Sequence, residues 1–165
     1  MYNLMKKYLL IFIILLPLNS LAENLAIVDI NYLVQNSKLG KSINSSLEKT
    51  RKKINKEFED QEKKFKEKNK SLLVKKKLIT EEEFNKTMQK LQKEVSIYND
   101  KKKKTLDEFR KNKDKEYTRL YTEINKILID YSKKNNVETV MDKKFILLSK
   151  TENDITPKIL EIMNN

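Results

Sequence analysis

The chain has no cysteine, no histidine and no tryptophan among its 165 residues, and only one glycine and two prolines. Without cysteine there is no disulfide, so an exported chain of this composition is stabilised by packing or by association. Without His or Cys, thiol nucleophiles, most zinc sites and the usual general base are excluded. With so little glycine and proline, turn material is scarce and the chain must run in long elements. No catalytic constellation stands out, so the expectation is a non-enzyme without metal or cofactor. Asp29 and Asp142 lie in or beside expected strands and read as acceptors for nearby backbone amides. Glu81, Glu82 and Glu83 read as the first turn of a helix rather than a metal cluster.

What is present begins with an export signal. Lys6 and Lys7 precede an apolar run from Tyr8 to Leu18, and Ser20 and Ala22 supply small residues. Eleven apolar residues fall short of the roughly 20 that a membrane span needs. The layout is that of a signal peptide over 1–22, cleaved after Ala22. The expected mature chain starts at Glu23 and is exported.

Charge is abundant and uneven. Lys and Arg number 36 against 24 Asp and Glu, a net charge of +12. Residues 23–40 and 136–165 each carry −1, so the whole excess of the mature chain falls on 41–135, at +12. Such a balance favours acidic partners, namely anionic lipid or acidic protein surfaces. Export makes nucleic acid an unexpected partner.

The segment 41–135 reads as a helical hairpin. Leu47, Ile54, Phe58, Phe65 and Leu72 form a sparse heptad seam interrupted by Arg51, Gln61, Lys68 and Lys75. Thr80-Glu81-Glu82-Glu83 has capping-box spacing and starts a second helix. Phe84, Met88, Leu91, Val95 and Tyr98 continue as heptads, and then an eleven-residue period takes over, as in Leu106, Tyr117 and Leu128. The expected first helix runs from Lys41 to about Leu78 and the second from Glu81 to about Lys134. The tip therefore falls near 78–81.

The two ends of the chain, 23–40 and 136–165, read as a β-rich body. Leu25–Ile30 is an apolar run of central-strand type, Asn31 a cap for a short helix, and Gly40 a helix end or break. Val137–Asp142 and Phe145–Leu148 read as two strands linked tightly by Lys143-Lys144, hence a β-hairpin. Asn153 or Asp154 begins a closing helix with Pro157 in its first turn. The fold class is α+β, a small strand body for oligomerisation with a long protruding antiparallel α-helical arm. A body this small supports long arms best by association. Its expected contact residues are Leu25, Ile27, Val28, Val137, Val140, Phe145 and Leu147.

Leu25-Ala26-Ile27-Val28-Asp29, the basic arm, Val137-Glu138-Thr139-Val140-Met141-Asp142 and Asn153-Asp154-Ile155-Thr156 occur in the order found in the Skp (OmpH-like) periplasmic chaperones, which the whole mature chain resembles. The arms are richer in lysine and asparagine than that family leads one to expect. The resemblance implies a homotrimer whose strands build a small central barrel. It implies three arms around a cavity that holds unfolded outer-membrane proteins without ATP, and contact with lipopolysaccharide to which no residue here is matched. On the arm, the candidate client-binding residues are Lys75, Lys76 and Lys77 near the tip, Met88 and Tyr98 on the seam, and the run Lys101, Lys102, Lys103 and Lys104. The alternatives are a structural coiled-coil protein of the envelope and an anionic-lipid binder.

Overall fold

The computed structural model describes residues 24–165. The expected leader over 1–22, and its cleavage after Ala22, lie outside the described residues. The element order is β1 (Leu25–Val28), α1 (Ile30–Asn36), α2 (Lys38–Lys75), α3 (Glu81–Asn135), β2 (Thr139–Asp142) and α4 (Thr156–Asn164). Among the described residues no helix is long and apolar enough to cross a membrane.

The body is assembled from both ends of the chain. β1 and β2 pair in parallel, with Leu25 opposite Thr139 and Val28 opposite Asp142. On its other side β1 meets the start of the closing segment, where the Ile155 amide donates to the Ile27 carbonyl at 2.9 Å. Ala26, Ile27 and Val28 are thereby buried, as their unbroken apolar run requires. Leu33, Leu120, Ile124, Ile155 and Ile159 close the core between α1, the C-terminal third of α3 and α4. Thr156 ties the ends together, since its Oγ1 accepts from the Asp29 amide at 2.8 Å.

The expected β-hairpin does not form. Asp142 leaves the strand as a cap, its carboxylate accepting from the Lys144 amide, and Lys143–Phe145 turns in a single 3₁₀ turn. A two-residue link would have returned the chain antiparallel beside β2; the turn sends it away instead, and β2 finds its partner in β1. Phe145, Leu147 and Leu148 are left 72%, 106% and 92% exposed. The body therefore holds less strand than expected.

Three local readings also change. α1 is capped by Asp29 rather than Asn31, with Oδ1 accepting from the Tyr32 amide at 2.8 Å. The break between α1 and α2 is at Ser37, whose extended backbone (φ −66°, ψ 152°) and side-chain oxygen start α2. Gly40 lies inside α2, and glycine is required there because an added Cβ would stand 2.0 Å from the Val34 carbonyl oxygen. The closing helix begins at Thr156 rather than at Asn153 or Asp154, after a 3₁₀ turn over Thr151–Asn153.

The hairpin matches the reading closely. α2 has 38 residues and α3 has 55, or about 57 Å and 82 Å at 1.5 Å per residue. Thr80 and Glu83 form the reciprocal capping box, with three glutamates in the first turn of α3. α3 ends at Asn136 in the left-handed conformation (φ 52°), a common helix stop.

Candidate functional site: the basic arm

The arm is two helices thick, so each seam residue has one facing helix and no further layer. Leu47 near the body and Leu72 near the tip are buried. Between them Ile54, Phe58, Phe65, Leu91, Val95 and Tyr98 are only half-buried. Lysine stems and carboxylates flank this seam and cover part of it.

One cluster fixes the middle of the arm. The Tyr98 ring packs edge-on against Phe65 (centroids 5.3 Å apart) and Phe58 (6.2 Å). Its hydroxyl lies 3.3 Å from both the Phe58 carbonyl oxygen and Glu62 Oε1. Lys102 donates to the same Glu62 oxygen at 2.6 Å, and its ammonium sits 5.2 Å from the Phe58 ring centroid. The hydrogen bond and charge of Lys102 lower the Glu62 pKa, and the same contact raises that of Lys102. Desolvation, reinforced by the Glu62 charge, pushes Tyr98 up. A second strap, Lys68 to Glu94 at 2.6 Å, lies toward the tip.

Beside the seam the arm is concave. A cavity of about 610 Å³ is lined by Phe58, Phe65, Ile97 and Tyr98 with Lys64, Lys101 and five other polar or charged residues of the two helices among its walls. A second of about 560 Å³ adjoins it toward the tip over Leu72 and Leu91, and shares Lys64 and Glu94 with the first.

The family model for OmpH-like outer membrane proteins matches residues 24–163. The chain belongs to the OmpH-like family. The fold is also that of a crystal structure from Caulobacter crescentus, described as a candidate OmpH-like outer membrane chaperone. The TM-score is 0.79 with 19% identity, covering 86% of this chain and 83% of that one. At that identity the likeness concerns the fold. No curated protein matches the chain in sequence.

Within this OmpH-like arm the sequence-derived candidates scatter. Tyr98 and Lys101 border the 610 Å³ cavity and Lys75 borders the 560 Å³ cavity. Lys102 turns inward to Glu62, while Lys103 and Lys104 are exposed. Lys76 lies 5.3 Å from the Phe84 ring centroid, Lys77 is exposed, and Met88 is half-buried in the seam. The four-lysine run is thus not one surface, because successive helical residues point about 100° apart.

In the body, Ile27 and Val28 are consumed by the chain's own core, and Leu25, Val137 and Val140 are half-buried. Of the expected contact residues only Phe145 and Leu147 are fully presented to solvent.

Ile97, Lys64 and Glu62 were missed by sequence reasoning. Ile97 stands off the heptad stripe and so carried no periodic signal. The Glu62 contacts had one: a hairpin turning near residue 80 places residues whose numbers sum to about 160 opposite each other, as Glu62 and Tyr98 are.

Proposed function

We propose that this OmpH-like protein is an ATP-independent periplasmic holdase that binds unfolded outer-membrane proteins, keeps them from aggregating and assists their delivery. The observation that carries the reading is the arm itself. Its aromatic and aliphatic seam stays half-open along two long helices, amid the full positive excess of the chain. Many shallow apolar contacts in a cationic field retain a client without trapping it, because each contact is weak and their number gives avidity. The family supports the chaperone role, with the mature chain acting in the periplasm after cleavage following Ala22 and needing no cofactor.

The proposal includes self-association, as a homotrimer, through 23–40 and 136–165. The outer edge of β2 and the exposed side chains of Phe145, Leu147 and Leu148 support it. An unpaired edge and a run of exposed large apolar side chains are features that a free monomer avoids. Multi-angle light scattering on the mature chain tests this: the intact protein should elute as a trimer, and Leu147→Glu as a smaller species. A monomeric intact protein would remove this part of the reading.

The holdase reading itself is tested by size-exclusion chromatography. Mature protein is mixed with a urea-unfolded β-barrel protein and the urea is diluted away without nucleotide. A soluble co-eluting complex is expected; recovery of the barrel only as aggregate would contradict the reading.

A specific observation favours a second property, contact with anionic lipid at the arm tip. Leu73, Val74 and Leu78 are 53%, 67% and 80% exposed beside Lys75, Lys76 and Lys77. An apolar wedge with a lysine cluster suits a negatively charged bilayer surface. Vesicle flotation with anionic and neutral lipids tests it. Binding to the anionic vesicles alone is expected, and binding to neither would exclude it.

A further inference from the structure

The twelve residues 143–154 between β2 and α4 carry the most exposed apolar side chains of the body, Phe145, Leu147 and Leu148. Among the described residues nothing buries this loop. Every position in it is exposed or half-buried, and the amides of Leu147, Leu148 and Ser149 make no backbone hydrogen bond. A segment with so few buried contacts holds its shape only where its ends are fixed.

Both ends are fixed, and to each other. Lys143 opens the loop in a 3₁₀ turn directly after β2, and Asp154 follows the second such turn over Thr151–Asn153. Asp154 is anchored to the body. Its backbone bridges Ile27 of β1, and its Oδ1 accepts from the Thr156 amide at 2.9 Å where α4 begins. Its other oxygen, Oδ2, accepts from Lys143 Nζ at 2.7 Å. One ion pair thus joins residues eleven apart and makes the loop a closed ring. The hydrogen bond to Asp154 raises the Lys143 pKa. Burial by itself would raise that of Asp154, but the bonds from Lys143 and Thr156 outweigh it and lower it, so both groups are charged at neutral pH. The neighbouring pairs, Lys144 with Asp142 and Lys150 with Glu152, join residues two apart and close nothing.

Closure matters for docking. A free loop of this length loses conformational freedom when it settles on a partner, whereas a loop already closed at its base has less to lose. The same apolar side chains then bind more tightly with no added contact.

We infer that the Lys143–Asp154 ion pair is a clasp that preforms the 143–154 loop for docking on a second copy of the chain. Lys143 and Asp154 are then positioning residues for self-association. The inference rests on the self-association proposed above and names what sets its strength. In a ring of three identical contacts the effect recurs at each. The pair is 52% exposed at Lys143 and 20% at Asp154, and a pair of that kind contributes about three-fold per contact, hence roughly 30-fold in the trimer association constant. The concentration of half-dissociation varies as the square root of that constant, so its expected shift is about five-fold.

The test uses dye-labelled mature full-length protein in a dilution series, followed by fluorescence-detected sedimentation. One urea concentration, the same for all variants, brings the parental midpoint into range. Lys143→Met removes one partner. Asp154→Asn removes the other charge and keeps a side-chain oxygen for the Thr156 amide. Lys143→Arg retains the pair, and Lys150→Met removes a loop charge without opening the loop. Circular dichroism checks that each variant keeps the helical fold; should Asp154→Asn disturb it, Lys143→Met against Lys143→Arg decides. Lys143→Met and Asp154→Asn should each raise the midpoint about five-fold, and the double variant no further, as for two halves of one interaction. Lys143→Arg and Lys150→Met should stay within two-fold of the parent. A weakened Lys143→Met beside a parental Asp154→Asn, additive losses in the double variant, or equal weakening by Lys150→Met would overturn the clasp. Parental midpoints for Lys143→Met and Asp154→Asn also overturn it and leave self-association standing. An unaltered protein that is monomeric at every concentration without urea overturns both.

Discussion

Gly40→Ala sets two effects of opposite sign against each other. Gly40 is the third residue of α2, with no positive φ to favour glycine. Propensity alone would make alanine more stable there by about 1 kcal/mol. The added Cβ, however, would stand 2.0 Å from the Val34 carbonyl oxygen, 2.8 Å from its carbon and 2.9 Å from Ser37 Oγ. Two of those three atoms are backbone, so relief requires α1 and α2 to separate by about 1 Å or more. That movement loosens Leu33 and Val34, both buried in the core. Overpacking of this kind costs about 1–3 kcal/mol, and a backbone obstacle places the case at the upper end. The expected net loss is about 2 kcal/mol, or roughly 6 °C in Tm for a chain of this size. Thermal unfolding followed by circular dichroism at one fixed protein concentration measures it, because association makes Tm concentration-dependent. Ser45→Ala, exposed on the same helix, is the control and should hold or gain stability. A Gly40→Ala protein at least as stable as the parent would show that propensity outweighs the close approach, and the packing argument at the α1–α2 junction would be wrong.

Ile124, 1% exposed at the centre of the body, should cost about 2–5 kcal/mol when cut to alanine, measured by urea unfolding. Thr80→Ala removes the hydroxyl that accepts from the Glu83 amide; about 1 kcal/mol of cap stability should be lost, seen as faster hydrogen exchange confined to the first turn of α3. For Glu62 the folded pKa lies below its ordinary 4.5 because of Lys102. Its contribution is therefore present above about pH 4.5 and is lost as pH falls through the lower folded value. Stability of the parent should decline more steeply below pH 4.5 than that of Glu62→Gln; parallel curves would mean that the mid-arm strap contributes nothing.

The arm was legible in the sequence because its signals are local. The capping box at Thr80–Glu83, the heptad residues and the near absence of glycine and proline state two helices and one turn without reference to any distant contact. The body was less legible because its signals are not local. Val137–Asp142 and Phe145–Leu148 have the same strand composition. Only the capping of Lys144 by Asp142, and the availability of β1 from the other end of the chain, decide that the first pairs in parallel and the second does not pair within the chain. Gly40 misled for a related reason. A glycine at a helix break and a glycine at a helix crossing look alike until the carbonyl of Val34 is in place. Of the candidate site, the lysines were visible as a run, but their separation into rim, strap and solvent depends on helical phase. Ile97 was hidden because a residue off the heptad stripe leaves no periodic mark.

The central claim is that a cationic, half-open arm holds unfolded barrel proteins without nucleotide. Light scattering of a urea-unfolded outer-membrane barrel, diluted into mature protein at increasing ratios, tests it most directly at about 0.05 and 1 M salt. At 1 M the screening length falls to about 3 Å, so the lysine field is removed while apolar contacts persist. The arm as described predicts suppression of scattering near one oligomer per client at low salt, weakened but not abolished at high salt, and unchanged by added ATP. Scattering identical to that of the barrel alone at every ratio, or suppression that appears only with ATP, would contradict it.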